Sequence, residues 1–221
     1  LPNSASYQAA VHLPSGVIAI LLSLIPMLAF PIALSLGNDR FSARKLIGLT
    51  LGFGAVVLIA ANSGSFEGDV TLWWIAVALV APSFYALEGN VVAKWGTYGF
   101  DAIETLFWSS VFGLVPSLLL ALGTGQFIPV PATWGPPEFA FLIIAVAHAV
   151  VYAGYVWLVS NAGPVFAAQV SYLVTILGIF WAIVLLHEAY ANGIWLALAL
   201  MLSGMFLVQP RARKSEEDAL A

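Results

Sequence analysis

The chain has no cysteine, so thiolate-bound metals are excluded and the redox compartment cannot be read from thiol usage. Charge is nearly as scarce. Only 8% of residues are Asp, Glu, Lys or Arg, against about 25% in a soluble domain. Seven Lys and Arg oppose eleven Asp and Glu, giving a net charge of -4. No basic patch stands outside the loops, which excludes nucleic acid as a partner. Several catalytic signatures are missing as well. There is no GxGD and no pair of aspartates inside an apolar run. The HEAYA at His187–Glu188 lacks the second histidine of HExxH. These gaps rank an intramembrane enzyme lowest, and no metal or cofactor is expected. Leu1-Pro2-Asn3-Ser4 carries neither an initiating Met nor the basic stretch of a secretory signal. The expectation is a piece of a longer chain.

What the sequence does contain is apolar. Hydrophobic residues make up 62% of it and the mean hydropathy is +0.99, so its solvent is lipid. A span needs roughly 20 mostly apolar residues. Seven runs qualify or nearly so: 17–36, 46–61, 72–92, 102–122, 139–159, 165–186 and 193–208. Residues 1–12 read as the tail of an earlier helix. The loop 123–137 is rich in Gly and Pro, and 210–221 is a charged tail expected to be disordered. Pro26 and Pro31 should break one span, Pro82 another and Pro116 a third. Each frees a carbonyl that must find a partner or line a cavity.

The organising feature is a repeat. Residues 163–208 carry an apolar run, the polar break His187-Glu188 and a second run closing on Ser203-Gly204. Residues 16–59 follow the same plan, breaking at Asn38-Asp39-Arg40 and closing on Gly52 and Gly54. Ser23 falls opposite Ser171. Asp39 falls opposite Glu188 after one inserted residue, and Gly54 opposite Gly204 after a second. Repetition in a membrane protein usually means a carrier built from two related parts. Gly48 and Gly52 form a small-xxx-small pair suited to close packing in lipid, and such faces permit a homodimer.

Positive charge sets the expected orientation. If the spans alternate, Arg40, Arg44, Lys45, Lys94, Arg211, Arg213 and Lys214 all lie on one side. The opposite loops carry only the acids Glu67, Asp69, Glu138 and Glu188. The C-terminus is therefore expected in the cytoplasm and Leu1 outside, with Trp73 and Trp74 at the outer interface.

Candidate functional residues are polar groups inside spans. Glu88 lies six residues before Lys94, roughly 9 Å of helix from the cytoplasmic end. A carboxylate there costs about 2.5–3.5 kcal/mol on insertion scales, so it should face the bundle interior or water. The plainer alternative is that it snorkels to the inner surface. Tyr85 shares its face, whereas Asn90 is turned about 200° away. His148, Tyr152 and Tyr155 form one stripe at i, i+4 and i+7. An imidazole there suits proton coupling, and packing is the alternative. Gln169, Ser171, Tyr172 and Thr175 form a polar patch. Serines and threonines in spans commonly bond their own i−4 carbonyl.

On these residues the chain resembles the EamA-type transporters of the drug/metabolite transporter superfamily. The matching stretches are the serine-proline helix with its acidic-basic turn and glycine-rich helix near the start, the later copy at 163–208, and the span order after Glu67. Val174 and Ala189 depart from the pattern, standing where the earlier copy has Pro26 and Arg40. The resemblance implies an all-α polytopic transmembrane helix bundle, seven spans present of a ten-helix two-repeat transporter. On that count 1–62 is the remainder of the first repeat, 66–209 the second and 210–221 a cytoplasmic tail. It implies an inner-membrane exporter of small metabolites such as amino acids or amphipathic compounds, working by alternating access. A proton or another cation would bind at Glu88. His148, Tyr152, Ser171, Ser23, Gln169 and Tyr85 would line the path. Two readings stand beside it. A seven-helix receptor fits the span count but leaves the repeat unexplained, and 193–208 lacks a retinal lysine. An inactive fragment of a transporter is the other.

Overall fold

The computed structural model describes residues 2–61, 72–96, 98–129, 131, 133–167 and 170–209. The side chains of residues 102, 155–156 and 159–167 also lie outside the description. Among the described residues the chain is helical: α1 (Pro2–Ala10), α2 (Ser15–Leu22), α3 (Ile25–Leu36), α4 (Ala43–Ala61), α5 (Leu72–Ala78), α6 (Val80–Trp95), α7 (Ala102–Gly123), α8 (Pro136–Ala167), α9 (Val170–Leu186) and α10 (Asn192–Val208). Helices satisfy every backbone group internally, which hydrocarbon demands. Five segments are long and apolar enough to cross a membrane: Ser15–Leu36, Ala43–Ala61, Leu72–Trp95, Ile103–Gly123 and Pro136–Gly154. Val170–Leu186 and Asn192–Val208 are shorter apolar helices.

The seven apolar runs all appear as helix, with two corrections. Pro31 and Pro116 sit inside α3 and α7 without ending them. One missing N–H is absorbed within a helix whose other bonds are intact. Breaks fall instead at Ser23-Leu24, just before Pro26, and at Leu79, just before Pro82. Both prolines sit in the first turn of the helix that follows, where a lost N–H costs least. The second correction is at Gly163-Pro164, expected to separate the fifth and sixth spans. α8 runs through it to Ala167 and α9 starts at Val170.

The chain forms two compact units, Leu1–Trp95 with Ala168–Ala221, and Gly96–Ala167. The first contains the earlier copy of the repeat and the later one from Ala168 on, and the two copies pack on each other there. α4 makes its most extensive packing with α10, its counterpart in the repeat, and α2 packs on α9, the helix that falls opposite α3 in the repeat. Glycine lets α4 and α10 approach. A methyl on Gly48 would lie 2.7 Å from the Gly204 carbonyl oxygen, and one on Gly204 only 2.6 Å from that of Gly48. With no hydrophobic drive between helices in lipid, such contact is what holds them. Ile20, Leu24, Met27, Ile59, Ile194 and Met201 fill the surrounding core.

The second unit holds α7 and α8. α7 opens on a capping box. Asp101 Oδ1 accepts the Glu104 N–H at 2.8 Å, and Glu104 Oε2 accepts the Asp101 N–H at 2.9 Å, satisfying two donors that a helix start leaves free.

Candidate functional site

The α2–α3 break builds an interruption inside a span. Pro26 has no N–H to return to the Leu22 carbonyl, and the Met27 N–H bonds Leu24 O at 2.9 Å rather than Ser23 O. Ser23 is buried, and its hydroxyl donates to Ile20 O at 2.6 Å. Its side chain is thus engaged locally, while among the described residues no helical N–H reaches the Leu22 or Ser23 carbonyl. In α5–α6 Ser83 Oγ donates to Leu79 O at 2.8 Å, a carbonyl that also accepts the Ser83 N–H, while the acceptor left without a donor by Pro82 is the Ala78 carbonyl.

Glu88 is exposed on α6, and among the described residues no hydrogen bond or ion pair engages its carboxylate. Tyr85 lies beside it, half-buried, and donates its hydroxyl to Asn3 Oδ1 at 2.5 Å. Asn90 does point away from Glu88, and it is the buried one. Its Nδ2 donates to Ala29 O at 3.1 Å and Ala86 O at 2.9 Å. Asn38 Nδ2 donates to Asn90 O at 2.8 Å and to Asn90 Oδ1 at 3.3 Å. This network locks α3 to α6. Lys94 Nζ reinforces it by donating to Leu36 O at 2.8 Å.

Basic groups gather at that end of the first unit. Lys45 pairs with Asp39, and Arg44 donates to Phe206 O at 2.9 Å. Partial burial pushes the Asp39 carboxyl up. The Lys45 hydrogen bond, the Arg40 N–H and the Lys45 charge outweigh that and hold it below the usual aspartate range.

The opposite end is held by an acid. Glu188, read from sequence only as a turn, accepts the Ser15 N–H at 2.8 Å and the Gly16 N–H at 3.3 Å, and also the Tyr190 hydroxyl. The Gly16 N–H reaches Tyr190 Oη at 3.1 Å too. A carboxylate at the positive end of α2 is stabilising, and here it comes from the other copy of the repeat. Burial, then the hydrogen bond to Glu188 and its negative charge, push the Tyr190 phenol well above its ordinary value.

In α9 the half-buried Ser171 offers its carbonyl to Thr175 Oγ1 at 2.8 Å. The hydroxyl of Tyr172 is buried without a hydrogen-bond partner among the described residues. Such a group is costly to leave unmade. Gln169 lies outside the described residues. His148 and Tyr152 belong to the second unit, their rings 6.4 Å apart and 28° from coplanar, as i, i+4 spacing requires. Among the described residues no cluster of three or more His, Asp or Glu could hold a metal.

A bundle of apolar helices, with the two copies of the repeat packed on each other, is the frame in which the family comparison falls. The EamA-like transporter family matches residues 72–209. The chain belongs to that family. It is a multi-pass membrane transporter. It is also similar to the uncharacterized transporter YvbV of Bacillus subtilis (strain 168), at 25% identity over 212 residues, covering 95% of this chain and 68% of the relative. No solved structure matches the chain. The family match spans Tyr85, Glu88, His148, Tyr152, Gln169 and Ser171, while Ser23 precedes it. Asn90 and Glu188, which sequence reasoning passed over as site residues, also fall within it.

Proposed function

We propose that the chain works as a secondary carrier exporting small metabolites, amino acids and amphipathic compounds foremost, by alternating access between its repeat-related parts. The observation that carries this is the packing of the two copies of the repeat on each other, α4 on its counterpart α10 and α2 on α9, with one fastening at each end of the same unit. Asn38–Asn90 holds the basic end and Glu188–Ser15–Gly16 the other. An access cycle consists of releasing these in turn. Glu88 serves as the proton or cation site. Tyr85, Ser23, Ser171, Gln169, His148 and Tyr152 serve the path. The basic end faces the cytoplasm, so the C-terminus is cytoplasmic in the inner membrane, and a homodimer is compatible with the glycine faces.

Counterflow tests the reading. Vesicles containing the purified protein, preloaded with unlabelled amino acids, should accumulate a labelled amino-acid mixture faster than protein-free vesicles; equal rates overturn it. Glu88→Gln should abolish the pH dependence of that uptake with expression intact. An unchanged pH response would remove Glu88 from the mechanism.

A further inference from the structure

At the basic end of the first unit α10 carries a hollow. Leu202, Ser203, Phe206 and Leu207 line an open groove of about 420 Å³. Ser203 donates its hydroxyl to Ala199 O at 2.7 Å, so its proton is spent within the helix and the groove is apolar. A cation stands at its mouth. Arg44 is in the first turn of α4, and its guanidinium lies over the Phe206 ring, 5.5 Å from the centroid. It donates to Phe206 O at 2.9 Å, which uses one of a guanidinium's five N–H donors. Phe41 and Ile47, three positions to either side of Arg44, are exposed, as is Phe206. The cation is therefore set among apolar side chains where two apolar helices end.

Such a pairing suits a molecule in two parts, an anion at the membrane edge and a chain running inward from it. Guanidinium geometry matches phosphate oxygen atoms, and basic pockets at helix ends recognise anionic headgroups. A water-soluble anion would leave the apolar part of the groove empty. A zwitterionic lipid would bring a cation of its own toward Arg44. A second copy of the chain, related by an axis along the bilayer normal, would bring one Arg44 toward the other across this face, like charge against like. We propose that this groove binds an anionic phospholipid, its phosphate at Arg44 and an acyl chain along Leu202, Phe206 and Leu207. The inference does not rest on the carrier reading above.

The probe is phosphatidylglycerol with a photoactivatable diazirine on its acyl chain, present as a trace in phosphatidylcholine vesicles that hold the purified full chain. Matched vesicles carry the same diazirine on phosphatidylcholine. After illumination, mass spectrometry reads which residues are labelled. The phosphatidylglycerol probe should label 202–207 about fivefold more than the phosphatidylcholine probe. Arg44→Gln should bring that ratio close to one. Arg44→Lys, which keeps the charge, should retain most of it, and this arm separates a lost charge from a lost fold. Labelling of α7 by the phosphatidylcholine probe should be the same in the wild type and both variants, showing that each is inserted alike. Equal labelling of 202–207 by the two probes in the wild type would mean bulk lipid only and overturn the inference. So would a ratio indifferent to Arg44→Gln, or one lost in Arg44→Lys as well. Absence of label at 202–207 from either probe would mean that protein covers the face. Displacement of the label by oleate but not by unlabelled phosphatidylglycerol would assign the groove to a free fatty acid. Both results would also overturn it.

Discussion

Asn90 ties α6 to α3 without carrying a charge. Both protons of its amide and its carbonyl oxygen are used, across to Ala29 and Asn38 and back to Ala86. Asn90→Ala removes these bonds while leaving Asn38 its bond to the Asn90 backbone carbonyl, which should cost about 1 kcal/mol in a membrane setting. A lower thermal unfolding midpoint in detergent would show it, and an unchanged midpoint would refute the lock. Asp39 makes a pH-dependent prediction. Its folded pKa is depressed, so its contribution is present above the unfolded aspartate value, about 3.9, and is lost as pH falls through the folded value. Asp39→Asn should therefore lower the midpoint at neutral pH and match the wild type in strong acid. Equal differences at both pH values would contradict it. Glu88 stands out in the sequence as an acid in an apolar run. Asn90 does not, because its importance depends on Asn38, 52 positions away. Glu188 was hidden for the same reason, its partner Ser15 being 173 positions distant.

Among the helices the α4–α10 seam offers the sharpest contrast. The Gly48 methyl would collide with backbone, which cannot swing aside, whereas one on Gly54 would meet only Leu200 Cδ1 at 3.8 Å. Gly48→Ala should destabilise by about 1–3 kcal/mol. Gly54→Ala should be neutral or add up to about 1 kcal/mol through helix propensity. Similar effects from both would mean the helices are not in contact as described. The glycine spacing and the repeat were readable beforehand, because lipid packing selects small residues at fixed intervals. The helix breaks were only half readable. Proline chemistry named Pro26 and Pro82 and also Pro31 and Pro116, but whether a helix ends depends on where the proline falls in its turn. The continuation of α8 past Gly163-Pro164 escaped for a related reason: proline costs one N–H, and the surrounding ladder decides whether that is enough.

For the whole molecule, composition alone gave the class, since a chain with 8% charged residues has little with which to face water. Family membership follows from the match over 72–209. How the copies of the repeat work on a substrate is the central claim, and the absence of cysteine makes it directly measurable. Ser15→Cys places a thiol at the Glu188 end, leaving the Ser15 N–H bond in place. Ser42→Cys places one at the basic end, just before α4. Labelling each with a thiol reagent in reconstituted vesicles, with and without the amino-acid mixture, reports both ends. Alternating access predicts that the mixture raises labelling at one position and lowers it at the other. Labelling that moves in the same direction at both, or at neither, would contradict it.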